Sequence, residues 1–477
     1  MVVGGTLSAD GLAAANHGFT DALLFELNTT GELQWHHLYG GTGWDGAVDL
    51  LQYTEGGYVV LGTSNSMDGD VSGPGQGLGD IWVFRVNDAG TILWQRKLGT
   101  HLVDEAGSIV DARDGGILFT AHIGSLVEDG DVAPGMGIGG FWLVKLNVDG
   151  DILWQNRFGG SGWDAPYDMA ETFDGGWILV GVTTSMDGDV SFHYPGDFMD
   201  GWVVKVDSTG QLEWQKTLGG TGWDLLHSVI EVGDGGYLIT GFTESNDGDV
   251  SGNHGGADGW VVKLDVDGNV EWQRTFGGTG NDQFNSVVPT ADGGFALAGF
   301  TNSTNGDVSY SLGGGDGWVV KLDSLGNLQW DLPLGGSGSD SLRKIRQTED
   351  GGFLVAGDSG SNDGHATGNH GGRDIWVVKL GPDPSGIPEG RPAFPLAVFP
   401  NPGRDLVRLQ YDARTTGMAQ LEVFNGAGQP VLAPRRRMVC PGPQSWEFDA
   451  SPLAPGTYQL RLSTADGVVC QRLVKLP

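Results

Sequence analysis

The stretch Leu212 to Leu264, LEWQKTLGGTGWDLLHSVIEVGDGGYLITGFTESNDGDVSGNHGGADGWVVKL, decides the fold. Its first seven residues alternate polar and apolar side chains and include β formers, so they read as a strand. Gly219-Gly220-Thr221-Gly222 is a turn. Leu226 to Val232 is a second strand, ended by Asp234-Gly235-Gly236, and Tyr237 to Phe242 is a third. A polar loop from Glu244 to Gly259 leads to a fourth, Trp260 to Leu264. Asp267-Gly268 then turns the chain into the next L-x-W strand.

The same unit recurs down four-fifths of the chain. L-x-W tryptophans fall at Trp35, Trp94, Trp154, Trp214, Trp272 and Trp330, with spacings of 59, 60, 60, 58 and 58. An acidic residue before Gly-Gly keeps the same step, at Glu55, Asp114, Asp174, Asp234, Asp292 and Asp350. So does the W-V-V-K-L core, at Trp82, Trp142, Trp202, Trp260, Trp318 and Trp376. Shared periodicity of independent landmarks means one copied supersecondary unit whose apolar face is buried by its neighbours. Four short antiparallel strands joined by Gly-rich turns make a β-propeller blade. Solenoid rungs are much shorter, and glycine density with period-2 alternation excludes helical repeats. The third and fourth strands occur seven times, the first and second six times. Seven blades are expected, the first lacking two strands; six closed blades with a spare pair of strands is the alternative.

Composition agrees with an ordered all-β chain. Gly is 85 of 477 without a G-X-Y period, and Trp is 17. The net charge is −34. Residues 391–477 hold ten Lys/Arg against six Asp/Glu, about +4, which leaves −38 for residues 1–390. Such a field repels nucleic acid and attracts cations. The two cysteines, Cys440 and Cys470, lie in the last 40 residues, so the repeats hold neither a disulfide framework nor a Cys-based zinc site. The pair could bridge in an oxidising compartment. No run of ~20 apolar residues is present to form a membrane-spanning helix. No signal peptide is visible. Met1 to Thr6 aligns with Tyr58 to Thr63 in the middle of a unit, so a preceding segment is expected to be missing.

G-G-S-G-W-D at 159–164, D-G-G-W-I-L-V-G-V-T-T-S from Asp174 and D-G-W-V-V-K-V-D from Asp200 resemble the bacterial seven-bladed β-propeller repeat family over residues 1–380. That resemblance implies an architecture and an extracellular setting, not a chemistry. Residues 381–394 are a Pro/Gly linker, and a different domain occupies 395–477. About seven short strands in some 80 residues make it a small β-sandwich. Its opening V-F-P-N-P with Pro400, Asn401 and Pro402, the hairpin L-E-V-F-N-G-A-G-Q-P-V with Gly428, the strand P-G-T-Y-Q-L-R-L with Pro455, Gly456 and Tyr458, and the basic Lys475 resemble the type A C-terminal sorting domain of the type IX secretion system of Bacteroidota. The resemblance implies export through that machinery, with the protein attached to the cell surface or released.

The loop after the third strand carries the best candidate for metal chemistry. Asp68, Asp70 and Ser72, and Asp247, Asp249 and Ser251, follow D-x-D-x-S-G; Asp187 with Asp189, and Asp307 after Asn305, are variants. Oxygens at alternate positions with a Gly for the bend form the first half of a Ca²⁺ loop, and Asp258 falls at position 12 counted from Asp247. The competing reading is that these Asp residues cap their own turns. A second acidic row, Asp45, Asp164, Asp224, Asp282 and Asp340, either rings a channel beside Trp44, Trp163 and Trp223 or makes strand-start contacts. His17, His193, His254 and His370 lie in loops and are expected to be solvated.

No nucleophile elbow, H-E-x-x-H, phosphate loop or candidate catalytic Cys is present. The unit at 101–142 departs most from the repeat, through His101, Glu105, His122 and Gly140. Near-identical units suit multivalent contact, so the chain reads as a binding or structural module for a glycan or surface protein and not as an enzyme. The rival is a polysaccharide-active enzyme, a glycoside hydrolase or lyase, with one site in the propeller channel. Such an enzyme would concentrate departures from the repeat at one end of that channel.

Overall fold

The computed structural model describes residues 1–381 except 54–55, 76, 113–114, 125–129, 133–138 and 197, and then 397–399, 406–424, 431–432, 434–454, 456–464 and 467–475. Seven antiparallel sheets follow one another along residues 1–380, five of four strands and two of three. The fifth sheet is typical: Asp224–Glu231, Tyr237–Thr243, Asp258–Leu264 and Val270–Phe276, hydrogen-bonded in that order. Inner strands of successive sheets lie side by side, from Asp45–Gln52 through Glu105–Asp111, Asp164–Glu171, Asp224–Glu231 and Asp282–Pro289 to Asp340–Gln347. This is the β-propeller arrangement, with seven blades.

The phase of the unit differs from the sequence reading by one strand. The L-x-W strand is the outer strand of the preceding blade, not the first of its own. The cause is local: Gly268 N–H bonds the Asp265 carbonyl in a tight hairpin, while the Gly-Gly-Thr-Gly turn carries the chain across to the next sheet. The first blade (Val2–Thr6, Asp21–Leu27, Leu33–Tyr39) therefore lacks one strand, the inner one, and not two. The seventh (Asp340–Gln347, Phe353–Ser359, Asp374–Leu380) lacks the outer one. These two blades meet: a Cβ on Gly4 would stand 3.2 Å from Ile375 Cδ1.

Each landmark of the repeat has a partner. The third-strand tryptophans Trp82, Trp142, Trp202, Trp260 and Trp318 are fully buried. The indole N–H of Trp260 donates to Gln273 Oε1 at 3.0 Å, and Trp82, Trp142 and Trp202 do the same to Gln95, Gln155 and Gln215. That explains the Gln after four of the six L-x-W tryptophans; Asp331 accepts from Trp318 in the same way. The L-x-W tryptophans themselves lie over the hairpin glycine of the next blade. A Cβ on Gly268, at φ +80°, would meet the Trp214 ring at 3.0 Å, so this position takes glycine for backbone and space alike. Lys205, Lys263 and Lys321 of W-V-V-K pair with Asp174, Asp234 and Asp292 of D-G-G at 2.8–3.0 Å.

The acidic row at the head of the inner strands is structural. Asp224 is fully buried and accepts from Gly220 N–H at 2.8 Å, Ser245 Oγ at 2.7 Å and Thr243 Oγ1. Asp45, Asp164, Asp282 and Asp340 repeat this, and so, in the divergent third unit, does Asp104 with Thr100 and Gly124. Carboxylates with three or more donors are saturated, and the strand-start reading holds over the ligand-ring reading. A second Asp heads each third strand, buried in all but the seventh blade, where Asp374 is partly exposed, and absent from the third blade, where Gly140 replaces it and Arg157 bonds the Gly139 carbonyl. Asp200 and Asp224 flank Gly219, as Asp21 and Asp45 flank Gly40 and as Asp316 and Asp340 flank Gly335.

Residues 397–475 form two further sheets: Ala397–Phe399, Leu406–Ala413 and Gly442–Asp449; and Arg435–Val439, Gly417–Phe424, Gly456–Thr464 and Gly467–Lys475. Val407, Leu409, Leu421, Val423, Trp446, Phe448, Leu460 and Leu473 fill the space between them. This is a seven-stranded β-sandwich. Cys440 is an exposed free cysteine; the side chain of Cys470 lies outside the described part of the sandwich.

Two predictions concern stability. Trp260→Ala should cost ~3–5 kcal/mol in denaturant unfolding. Trp376→Ala, in the blade without an outer strand and only partly buried, should cost under about 2 kcal/mol. The buried aspartates set the pH profile. Burial pushes Asp200 up to about 7, against Tyr194 N–H and His193 and with the Asp224 and Asp249 charges adding. Burial likewise lifts Asp224 and Asp104 to about 6 against their hydrogen bonds. These folded-state carboxyls hold protons more tightly than the unfolded chain does, so their stabilisation is complete below about pH 4 and is lost as pH climbs through 6 to 7. On the acid side, burial opposes ionisation of Asp174 and Asp292, but the Lys205 and Lys321 ammoniums and the Thr172 and Thr290 hydroxyls hold them down at about 2. Their stabilisation is lost as pH falls from about 4 through 2. The melting temperature should peak at about pH 4–5 and fall toward pH 8, and Asp200→Asn should flatten that fall. A wild-type melting temperature that rises between those values would refute the assignment.

Candidate functional site at the inner-strand bulges

Every inner strand carries a β-bulge three residues after its leading Asp. The residues on either side of it, such as Leu226 and Val229, or Leu342 and Ile345, are buried in the cores between blades. Bulged residues therefore turn out of those cores, and a bulge re-aims side chains in this way. Around the ring they are Val48, Gly107, Tyr167, His227, Asn285 and Arg343. No two are alike, although the Asp three residues before each of them recurs in the lead of every inner strand.

The following position, Asp49, Ser108, Asp168, Ser228, Ser286 and Lys344, reaches to the next blade. Asp168 Oδ2 accepts from Val229 N–H at 3.1 Å, and Asp49 Oδ2 from Ser108 Oγ and Ile109 N–H. On the seventh blade Lys344 takes the place of these Asp and Ser residues. It is accessible to solvent, and the Asp49 and Asp168 carboxylates, from the second and fourth blades, raise its ammonium above the usual value.

Four consecutive blades bring Tyr167, His227, Asn285 and Arg343 into one row. The Tyr167 and His227 rings pack edge to face at 5.5 Å, and Phe242 lies 5.7 Å from His227 on another side. His227 Nδ1 lies 3.0 Å from the Phe284 carbonyl of the sixth blade. A carbonyl only accepts, so Nδ1 carries the hydrogen and Nε2 the lone pair. Burial, with the Arg343 charge acting the same way, brings His227 down to about 4, so the ring is neutral at pH 7. Burial, helped by Glu105, raises the Tyr167 phenol above its usual value and keeps it protonated. Asn285 donates to the Leu342 carbonyl at 2.7 Å and accepts from Gln283, which holds its amide plane. Arg343 is exposed and lies 3.6 Å from Asp358. Around the row, Trp163 and Tyr167 pack on Ala165, Val182 and Leu225, and Trp223 and Phe198 are exposed.

The sequence reading passed over this row. It looked for recurrence, and the signal is a column of the repeat in which recurrence fails. Of the departures noted at 101–142, Glu105 faces Tyr167, whereas His122 and Gly140 belong to the junction where Arg157 replaces an Asp.

The proposed calcium ligands are not brought together. Asp68 accepts from Thr42 N–H and Oγ1, Asp187 from Ser161 N–H, and Asp247 from Thr221 N–H and Oγ1, tying each loop to the Gly-Gly-x-Gly turn of its own blade. Asp189, Asp249 and Asp307 accept from Gly159, Gly219 and Gly277 N–H. The amide of Asp70 donates to the Gly40 carbonyl, Ser72 N–H donates to Gln95, and Ser251 Oγ accepts from Gln273. Asp258 lies at the next junction and accepts from His254 N–H and Nδ1 at 2.9 and 2.6 Å. Among the described residues no three His, Cys, Asp or Glu side chains are arranged to hold a metal ion. The loop histidines are not simply solvated either: His17, His193, His254 and His370 lie 2.6–3.6 Å from the third-strand aspartates Asp21, Asp200, Asp258 and Asp374.

In the terminal sandwich, Tyr458 donates to the Ala454 carbonyl at 2.8 Å, Gly456 opens a strand paired with the last one, and Lys475 ends that last strand, largely buried. Pro400, Asn401, Pro402, Gly428 and Pro455 lie outside the described residues.

Comparison with known proteins places both parts. A curated relative, the regulatory protein FlaEY of Caulobacter vibrioides, is 26% identical over 272 residues, 51% of this chain and 27% of that protein. The chain thus spans about a quarter of the length of the curated relative it matches. A PL25 ulvan lyase solved with -[GlcA(1-4)Rha3S]- shares 12% identity at a TM-score of 0.46, over 76% of this chain and 87% of that one. A family 43 arabinoxylan arabinofuranohydrolase of Bacillus subtilis shares 11% at 0.31, over 91% and 92%. At such identities the likeness concerns the fold alone. The expectation of a non-enzymatic chain finds no support here: these neighbours are glycan-active enzymes, and their likeness to this chain concerns the fold. No transmembrane-length apolar helix occurs among the described residues. Residues 397–476 match the secretion system C-terminal sorting domain, so the chain is cargo of the type IX secretion system, secreted or held at the cell surface, with its propeller ahead of that domain.

Proposed function

We propose that the propeller is a polysaccharide-active enzyme, delivered outside the cell by its sorting domain, with one active site at the row Tyr167, His227, Asn285 and Arg343. The observation that supports this reading is the non-repeating column at the bulges. Residues that repeat are accounted for by packing, turns and ion pairs. The bulge column differs from blade to blade, its contacts being ring packing at Tyr167 and His227, carbonyl contacts at His227 and Asn285 and the Arg343–Asp358 pair, and asymmetry is what a single site on a symmetric ring requires. A neutral imidazole with a free Nε2 beside a protonated phenol is an acid–base pair. Trp163 and Phe242, packed in the same cluster as Tyr167, supply aromatic surface there.

Release of reducing ends from a panel of neutral and acidic polysaccharides by the full chain tests the reading. His227→Ala should lower turnover by roughly 100-fold or more, with the melting temperature kept. Asp247→Ala, at a turn far from the row, should lower the melting temperature and leave the turnover of the folded protein unchanged. Absence of turnover on every polymer, or full activity of His227→Ala, would overturn the proposal.

A further inference from the structure

Resting on that site, we infer that its substrate is a 4-linked polysaccharide containing uronate, cleaved by β-elimination. The first support is the distribution of cations. Among the six inner strands the only Lys or Arg residues are Arg343, Lys344 and Arg346, within four residues of the seventh blade. They lie at the end of the row, on a propeller whose overall charge is strongly negative. A local cation cluster on such a background serves an anionic group, and a planar guanidinium matches a carboxylate. The charges of Asp49 and Asp168 act on Lys344, which leaves Arg343, exposed and 3.6 Å from Asp358, as the cation whose charge acts on His227.

The second support is the order of the groups. Phenol, imidazole, amide and guanidinium follow one another on the fourth, fifth, sixth and seventh blades. In a 4-linked uronate the leaving oxygen on C4, the hydrogen on C5 and the C6 carboxylate also follow one another. A sugar laid along the row sets its C4 oxygen at Tyr167, its C5 hydrogen at His227 Nε2 and its carboxylate at Asn285 and Arg343. Arg343 and Asn285 neutralise the carboxylate and so acidify C5–H. His227 Nε2 takes that proton, the C5–H electrons form the C4=C5 bond, and the C4–O bond breaks. Its oxygen leaves with the Tyr167 proton. No water, oxidant or metal enters the balance. Return of the proton from His227 to Tyr167 through solvent restores the site.

The experiment incubates the full chain with polygalacturonate, alginate and a glucuronate–rhamnose polymer, and with arabinoxylan as the neutral control. Reducing ends report any cleavage, and ultraviolet absorbance of the C4=C5 double bond conjugated to the carboxylate reports elimination. Both signals rising together on an acidic polymer is the expected result. Reducing ends without the ultraviolet band, or cleavage of the neutral polymer alone, overturns this inference and leaves the enzymatic reading standing. Absence of reducing ends on all polymers overturns both. Tyr167→Phe should cost roughly 100- to 10,000-fold in cleavage while deuterium from solvent still exchanges at C5. Loss of exchange together with cleavage would reject the division of roles between Tyr167 and His227. Arg343→Gln should raise KM for the acidic polymer and Arg343→Lys should restore part of it; an unchanged KM in Arg343→Gln would reject the carboxylate contact.

Discussion

The buried carboxylate at the head of each inner strand is the contact on which the propeller depends. Asp224 gathers the amide of the Gly-Gly-Thr-Gly turn and the hydroxyls of Thr243 and Ser245, which lie on the second strand and the loop after it. A blade must enter from its predecessor, turn at the ring centre and launch its second strand, and one side chain holds these three pieces. An unpaired buried carboxylate is costly, so the donors and the Asp are required together. That requirement explains why G-G-x-G-x-D and G-x-T-x-S keep the same step along the chain.

Charge follows from the same device. Each junction of most blades packs a third-strand Asp against an inner-strand Asp around one glycine, as with Asp200, Asp224 and Gly219. The acidity of the propeller is therefore partly internal, a property of how blades are joined and not of a ligand they await. Where Gly140 removes one carboxylate, Arg157 enters and the junction changes character. The D-G-D-V-S loops serve the same joints by tying Asp68 and Asp247 to Thr42 and Thr221.

Chemistry is left to what the scaffold does not use. The bulge lifts one side chain per blade out of the core, and six different residues occupy that position. Tyr167, His227, Asn285 and Arg343 owe their adjacency to the ring, being ~60 residues apart in sequence and neighbours only because inner strands lie side by side. Lys344, exposed next to Arg343, is a residue type that no other inner strand carries at that position.

The sequence by itself determined the strands, the repeating blade, the sandwich and its sorting role, while the seven successive sheets decided between seven blades and six. Period-2 alternation, glycine turns and a step of about sixty residues are local signals that need no partner to be read. Trp260 and Asp234 were legible as landmarks because burial and ion pairing repeat with the unit. Tertiary structure alone decided which sheet the L-x-W strand joins, since a tight Asp265–Asn269 hairpin and a crossing Gly-rich turn look alike in one dimension. It alone sent Asp258 to the next junction, away from Asp247, because a loop offset of twelve says nothing of which blade each carboxylate faces. It alone assembled the row from Tyr167 to Arg343, because a bulge aims a side chain by backbone geometry and a closed ring makes neighbours of residues far apart in the chain.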